Sequence, residues 1–302
     1  MSKGVGVLTR TFGDTIMINT LSRNIKLKYD TMELDWIVEE SYVDVIKQNP
    51  DIKNVITVKN TVLEWDYILG VISKGYDEVF MFQQVCGEDN VWHQNDKYRG
   101  GHLLDFYVKR GKIKLVDRKL RWYQDKNVVW MQLEEGKRIF IHDTTLGDSK
   151  NWDRFKDLVI DLRNCGFIVY QIGLKSDISI DLEEKYDLRG KFSIQELAGM
   201  LKNECDCFVG LDSGISYMAA AVGVPVICIM GASIPTTSGP FGEKVVHIVS
   251  DTREECKSRR CHSLFNKCRF GEKCINTIKV EDVVSKVKEI TLGKDEKVLS
   301  NL

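Results

Sequence analysis

The stretch FVGLDSGISYMAAAVGVPVICIMGASIP, residues 208–235, decides how the rest of the chain is read. Cys207 to Leu211 is an apolar run with the length and continuity of a strand buried on both faces of a parallel sheet. Asp212-Ser213-Gly214 interrupts it with a cap-type residue and a glycine, after which Ile215, Met218, Ala219 and Val222 recur at helical spacing. Gly223 and Pro225 close that helix. Val226 to Met230 forms a second buried run, ending in the polar tip Gly231-Ala232-Ser233. In open parallel sheets, ligands bind outside the carboxyl ends of the strands, where helix N-termini offer N–H groups and partial positive charge. The stretch therefore predicts strand, helix and strand with a phosphate or sugar site at the tips, although Asp-Ser-Gly alone is equally a simple helix start.

Upstream, the same alternation fills both halves of the chain. Gly4 to Thr9 is strand-like and is broken at Arg10 to Asp14. Helical spacing then runs from Ile16 to Tyr29. Leu34 to Val38 reads as a strand, Tyr42 to Ile46 as a helix stopped at Asn49-Pro50, and Asn54 to Val58 as a third strand. From about residue 127 the pattern restarts. Arg138 to His142 is a strand, followed by a polar loop and a helix with Phe155, Leu158, Val159 and Leu162 on one face. Phe167 to Ile172 is the next strand, and Ile194, Leu197, Ala198 and Leu201 mark a further helix. Alternating strands and helices imply right-handed crossovers and parallel sheets. The expected architecture is α/β, with two Rossmann-like domains at 1–126 and 127–302, the second carrying a cysteine-rich segment at 256–274.

The 302 residues give two cores room, and 43% hydrophobic with 29% charged content is that of a soluble globular protein. A formal charge of −1 excludes a globally basic nucleic-acid binder. Met1-Ser2-Lys3 leads directly into a strand-like segment, and no apolar run of 18 or more residues occurs. A cytoplasmic protein is expected, working in solution or at a membrane surface. One segment departs from neutrality. Residues 97–126 hold ten basic side chains against three acidic ones, a net +7, which reads as a solvated face or as an electropositive wall for an anionic acceptor.

Asp14 follows the first strand, at a turn where the G-x-G-x-x-G fingerprint of a nicotinamide site is absent. It reads as a helix cap or as a general base. Thr144, Thr145 and Lys150 follow the first strand of the second half. Two hydroxyls and an ammonium there suit either an ordinary cap or a diphosphate whose charge grows as it leaves. Among nine cysteines, Cys165, Cys205, Cys207 and Cys228 lie in or beside apolar runs, and Cys86 is solitary. Cys256, Cys261, Cys268 and Cys274 fall within 19 residues, beside Lys and Arg that favour the thiolate. They read as ligands for tetrahedral Zn or Fe, or as reduced surface thiols, since the spacing is not that of a C-x2-C knuckle.

Together these blocks resemble glycosyltransferase family 9, the ADP-heptose:lipopolysaccharide heptosyltransferases. VGVLTRTFGDTIMINTLSRNIKLKY, LDWIVEE and NPDIKNVI are similar to the family's N-terminal domain, HDTTLGDSKNW to its donor loop, and INTIKVEDVVSKV to its closing helix. FVGLDSGISYMAAAVGVPVICIMGASIPTTSGPFG resembles its most specific block. The resemblance covers most of the chain and implies a GT-B fold, two Rossmann-like domains facing across a cleft. It implies an inverting transfer, with the acceptor bound by the first domain and an ADP-sugar by the second.

Carried onto this chain, the resemblance makes Asp14 the general base and gives the diphosphate to Thr144, Thr145 and Lys150. Asp212, Ser213 and Gly214 would meet the donor's sugar and phosphates, and Asp177 the adenosine side. Tyr217 would border the sugar pocket, where the family often has histidine, while Ala232 stands where proline is common. These departures leave the transferred sugar open. The resemblance implies no cofactor for the chemistry and only a structural role for Zn or Fe at the cysteines. Its implied acceptor is an anionic glycoconjugate such as lipopolysaccharide inner core at the inner membrane surface. Two other readings keep the fold: a different nucleotide-sugar donor with a protein, glycan or nucleic-acid acceptor, or a catalytically silent sugar-nucleotide-binding scaffold. Asp14 and Lys150 speak against the silent scaffold.

Overall fold

Strand-forming runs that stay apolar at every position, rather than alternating, need cover on both faces, and the chain provides it with helices on two parallel sheets. The computed structural model describes residues 1–9, 11–59, 64–82, 101–231, 233–251, 268, 270–271 and 273–293. Its two units are Met1–Lys126 and Asn127–Leu302.

In the first unit, β1 (Lys3–Val7), β2 (Glu33–Glu39), β3 (Asn54–Val58) and β4 (Glu78–Met81) pair in the order β3-β2-β1-β4, all parallel. Its helices are α1 (Phe12–Lys28), α2 (Val43–Ile46), α3 (Trp65–Ile72) and α4 (Leu103–Arg110). The spacing predicted α1 to begin near Ile16, after a loop. It begins at Phe12, so Gly13 and Asp14 lie in its first turn.

Helix α1 is buried along most of its length, including Asn19, Thr20 and Asn24. Those three side chains hold the extended segment after α4. Thr20 Oγ1 donates to the Lys119 carbonyl at 2.8 Å, and Asn19 Nδ2 to that of Arg121 at 3.1 Å. Asn24 Oδ1 accepts from the amides of Val116 and Asp117 at 2.6 and 2.9 Å. Polar groups inside a helix surface are thus satisfied by a strand-like segment that lacks sheet partners. The basic stretch is also less bare than its composition suggests, because Arg118 pairs with Asp105 and Arg121 with Asp117.

In the second unit, β5 (Arg138–His142), β6 (Ile168–Gln171), β7 (Cys207–Leu211), β8 (Val226–Met230) and β9 (Val245–Val249) pair in parallel as β6-β5-β7-β8-β9. The helices are α5 (Phe155–Asn164), α6 (Ile194–Glu204), α7 (Gly214–Val222), α8 (Pro235–Ser238) and α9 (Val280–Leu292). Phe155, Leu158, Val159 and Leu162 of α5 pack into one core with β5, β7, β8 and Val280, Val283 and Val287 of α9. Helix α6 starts on a capping box, with Ser193 N donating to Glu196 at 2.8 Å and Ser193 Oγ accepting from Glu196 N at 3.3 Å. Edge strands β4 and β9 were not singled out from the sequence. Both hold apolar residues, but β4 has only four residues and β9 is interrupted by His247, and most of their side chains are partly or fully exposed.

Both sheets reverse direction of strand order once. Counting strands within each unit, the orders are 3-2-1-4 and 2-1-3-4-5, with switch points between β1 and β4 and between β5 and β7. Loops leaving adjacent strands at such a point diverge and leave a crevice at the carboxyl edge.

At the end of β8 the packing admits no side chain. A Cβ on Gly231 would sit 2.5 Å from Ile275 Cβ and 3.0 Å from its Cα, and Ile275 is fully buried. Gly231→Ala is expected to destabilise the protein by about 1–3 kcal/mol through overpacking. Urea unfolding measures this, and an unchanged midpoint would show that the 274–277 turn moves freely.

Candidate active site

Strand β5 ends at His142, opposite Gly210, and β7 ends one residue later at Leu211. The residues that follow, Asp143-Thr144-Thr145 and Asp212-Ser213, therefore emerge side by side at the switch point. The loop from β5 curls into a 3-10 turn, Asp148–Lys150, which returns Lys150 to this edge. Lys150 Nζ lies 3.0 Å from Asp212 Oδ2, with the two side chains 13% and 10% exposed. Thr145 Oγ1 donates to the Asp212 carbonyl at 3.1 Å, joining the same two tips.

Ser213 is the N-cap of α7 but makes no side-chain cap bond. Its Oγ instead lies 3.1 Å from His142 Nδ1. The other ring nitrogen, Nε2, is 3.3 Å from Asp177 Oδ2, and that same oxygen accepts the Leu174 amide at 2.7 Å. Burial raises the Asp177 carboxyl, but the bonds from His142 and Leu174 outweigh it and leave the group below its ordinary value. Gly173 makes this approach feasible. Its φ is +142°, and a Cβ there would fall 2.3 Å from Asp177 Oδ2 and 3.0 Å from His142 Cδ2.

Outside this ring, Thr144 Oγ1 donates to Asp143 at 3.1 Å and accepts the Ile178 amide at 3.0 Å. Asp143 is buried, and desolvation raises its carboxyl. Arg189 donates to the Asp177 carbonyl at 2.5 Å while gripping Asp187 through two bonds, at 2.9 and 2.8 Å. The guanidinium holds the Asp187 carboxyl down at about 2. The Lys150 loop has its own brace. Lys273 Nζ reaches Asp153 at 2.5 Å and Asp148 at 3.7 Å, and Asn276 Nδ2 donates to Asp153 at 2.8 Å.

The structure thus gathers Lys150, Thr144, Thr145, Asp177, Asp212, Ser213 and the α7 start at Gly214 along one edge. Both threonine hydroxyls are engaged by the protein, so an incoming anion meets Lys150 and the first-turn amides of α7 more directly. Tyr217 plays another part. It is buried, and its hydroxyl donates to the carbonyls of Ser238 and Gly239 at 2.8 and 3.1 Å, pinning the α8 turn whose Ser238 Oγ lies 3.5 Å from Asp212. His142, Asp143 and Arg189 were not singled out from the sequence. The first two had a signal, a polar pair closing an apolar run like Asp212-Ser213, whereas Arg189 lies in an irregular segment without one.

Asp14 belongs to the first unit, at the β1 side of its switch point. It is 9% exposed, and its Oδ2 accepts from Thr11 Oγ1 at 2.9 Å. Thr11 is the N-cap, so Asp14 is a first-turn carboxylate and not the cap itself. Of the four clustered cysteines, Cys256 and Cys261 lie outside the described residues, and Cys268 and Cys274 are free and partly exposed. Burial instead pushes the Cys207 thiol up to about 12 and raises Cys228 well above its ordinary value, as expected of core residues. Among the described residues no group of three or more His, Cys, Asp or Glu is placed to hold a metal, and no helix is long and apolar enough to cross a membrane.

Two doubly wound parallel units in one chain, with a polar cluster at a carboxyl-edge switch point, give a two-domain Rossmann-like fold of the GT-B type. Residues 102–268 match the profile of Glycosyltransferase family 9 (heptosyltransferase), and the chain belongs to that family. It is 30% identical, over an alignment 343 positions long, to lipopolysaccharide heptosyltransferase 1 of Campylobacter coli, covering 92% of this chain and 96% of that protein. The crystal structure of the family 9 glycosyl transferase from Veillonella parvula DSM 2008 superposes with a TM-score of 0.75 at 16% identity, over 96% of this chain and 97% of that one. The dodecameric, iron-containing heptosyltransferase TibC from enterotoxigenic E. coli H10407, solved in complex with ADP-D-beta-D-heptose, superposes at 0.70 and 16% identity, over 95% of this chain and 76% of that one.

Proposed function

We propose that this glycosyltransferase moves a heptose, or a sugar closely like it, from an ADP-linked donor to a hydroxyl of a lipopolysaccharide-type glycan, with inversion. The carrying observation is the Lys150–Asp212 pair at 3.0 Å, which sets an ammonium beside the N-terminus of α7. A diphosphate leaving group needs cations and N–H donors that are already oriented. Lys150 and the α7 amides supply them, with Thr144 and Thr145 framing the edge. Asp212 holds Lys150 in place. Leu174 and Ile178, both exposed, flank Asp177 and offer apolar surface to a flat base beside a carboxylate. The ADP-heptose complex of TibC and the lipopolysaccharide enzyme of Campylobacter coli favour this donor and acceptor. The reaction is placed in the cytoplasm, at the inner membrane surface.

Asp14 is assigned as the general base that takes the acceptor hydroxyl's proton as its oxygen attacks the anomeric carbon. The proton moves to the carboxylate, the C–O bond to the diphosphate breaks on the opposite face, and ADP leaves. Thr11 Oγ1 donates to Asp14 Oδ2 and so helps to orient the carboxylate.

Calorimetry tests the donor. ADP-sugars and ADP are expected to bind at least about tenfold more tightly than the uridine and guanosine counterparts, a difference of about 1.4 kcal/mol. The reverse order would remove the adenine assignment. Asp14→Ala is expected to lower kcat about 10²- to 10⁴-fold with donor Kd unchanged. Turnover undiminished by that change would remove the base.

Cys256, Cys261, Cys268 and Cys274 are assigned as thiolate ligands of one structural Zn or Fe ion, which would cross-link the segment ahead of the Lys273 brace and take no part in transfer. Partial exposure of Cys268 and Cys274 fits that role, and TibC contains iron. Elemental analysis of the purified protein is expected to find about one Zn or Fe per chain, lost in Cys268→Ser with Cys274→Ser. Metal-free protein with full activity would refute the site.

A further inference from the structure

His142 is 6% exposed and touches two residues of the donor edge, yet the reaction above gives it nothing to do. We propose that His142 is a positioning residue that fixes the direction in which Ser213 hydrogen-bonds, so that Ser213 recognises a hydroxyl of the donor and leaves the diphosphate to Lys150. This deepens the donor-site reading and rests on it.

The argument runs through hydrogen-bond polarity. An ionised carboxylate only accepts, and Asp177 Oδ2 already takes the Leu174 amide at 2.7 Å. His142 Nε2, 3.3 Å from that oxygen, must therefore carry a proton. A neutral imidazole with its proton on Nε2 has only a lone pair at Nδ1. Ser213 Oγ, 3.1 Å away, then donates its single proton to Nδ1 and keeps lone pairs for whatever approaches. A diphosphate oxygen brings no proton and is rejected by that arrangement. A sugar or ribose hydroxyl brings one and is accepted. The low exposure of His142 leaves little room for water to substitute, and the positive φ of Gly173 lets the imidazole and Asp177 close up. The charged groups facing this ring are Asp177, Asp143 and, through Asp177, Arg189.

Two measurements test the proposal. Ring-nitrogen NMR of histidine-labelled protein with ADP bound is expected to show His142 protonated at Nε2 and bare at Nδ1. Protonation at Nδ1 alone, or at both nitrogens at pH 8, would overturn it. The second is a double-mutant cycle read by ADP-heptose calorimetry. His142→Phe and Ser213→Ala are each expected to weaken binding about 5- to 20-fold, as for one lost hydrogen bond in a buried site. The double variant should lose no more than the weaker-binding single. Additive losses, or wild-type affinity in His142→Phe, would overturn the proposal. If His142→Phe does not fold, Asp177→Asn removes the obligate acceptor and is expected to relax the tautomer preference in the same spectrum. Lys150→Ala serves as the control. Unchanged ADP binding in that variant means the donor-site reading has failed, while a loss there without coupling at His142 refutes this inference alone.

Discussion

The second unit turns on an ammonium and a carboxylate held 3.0 Å apart where two neighbouring strands stop. Both side chains are largely withdrawn from water, so each ion would be costly alone and each stabilises the other. That condition accounts for much around it. Thr145 ties the two tips together, the Lys273 and Asn276 brace steadies the Lys150 loop, and Tyr217 pins the α8 turn that reaches Asp212. Such a pair adds little to stability. Its value is that it keeps a cation oriented before an anion arrives, which is what stabilising a leaving group asks of a site.

A ring of hydrogen bonds extends the same logic to the neighbouring strand. His142 links α7's cap to the loop after β6, and Arg189 anchors that loop by its backbone. Each of these side chains spends its hydrogen-bonding capacity on another site residue. Rigidity of this kind limits what a ligand atom can find at each position, and so converts packing into chemical selectivity.

In the first unit the comparable device is structural. Asn19, Thr20 and Asn24 make α1 polar along a buried face, and the extended 116–121 segment saturates them. Helix α1 is consequently clamped to that segment over the turns that follow Asp14. The spacing of apolar residues identified α1 but misplaced its start, because Phe12, Gly13 and Asp14 have no periodicity of their own. Their helical state comes from packing and from Thr11 at the cap.

The sequence alone determined the parallel α/β character, since β7 and β8 are apolar throughout, β5 is apolar between its polar ends, and only two-sided cover can bury them. It also marked Asp14, Lys150, Asp212 and Ser213, because polar residues ending apolar runs lie at strand tips by the geometry of the chain. Short edge strands such as β4 and β9 stayed hidden, their apolar runs being brief and only partly buried. Only tertiary structure decided which tips meet. Strand order, with β7 beside β5 across the 64 residues of chain between them, is a long-range choice that no local pattern encodes. The pairing of Lys150 with Asp212, the spent hydroxyls of Thr144 and Thr145, the supporting place of Tyr217 and the bridge through His142 all follow from that choice.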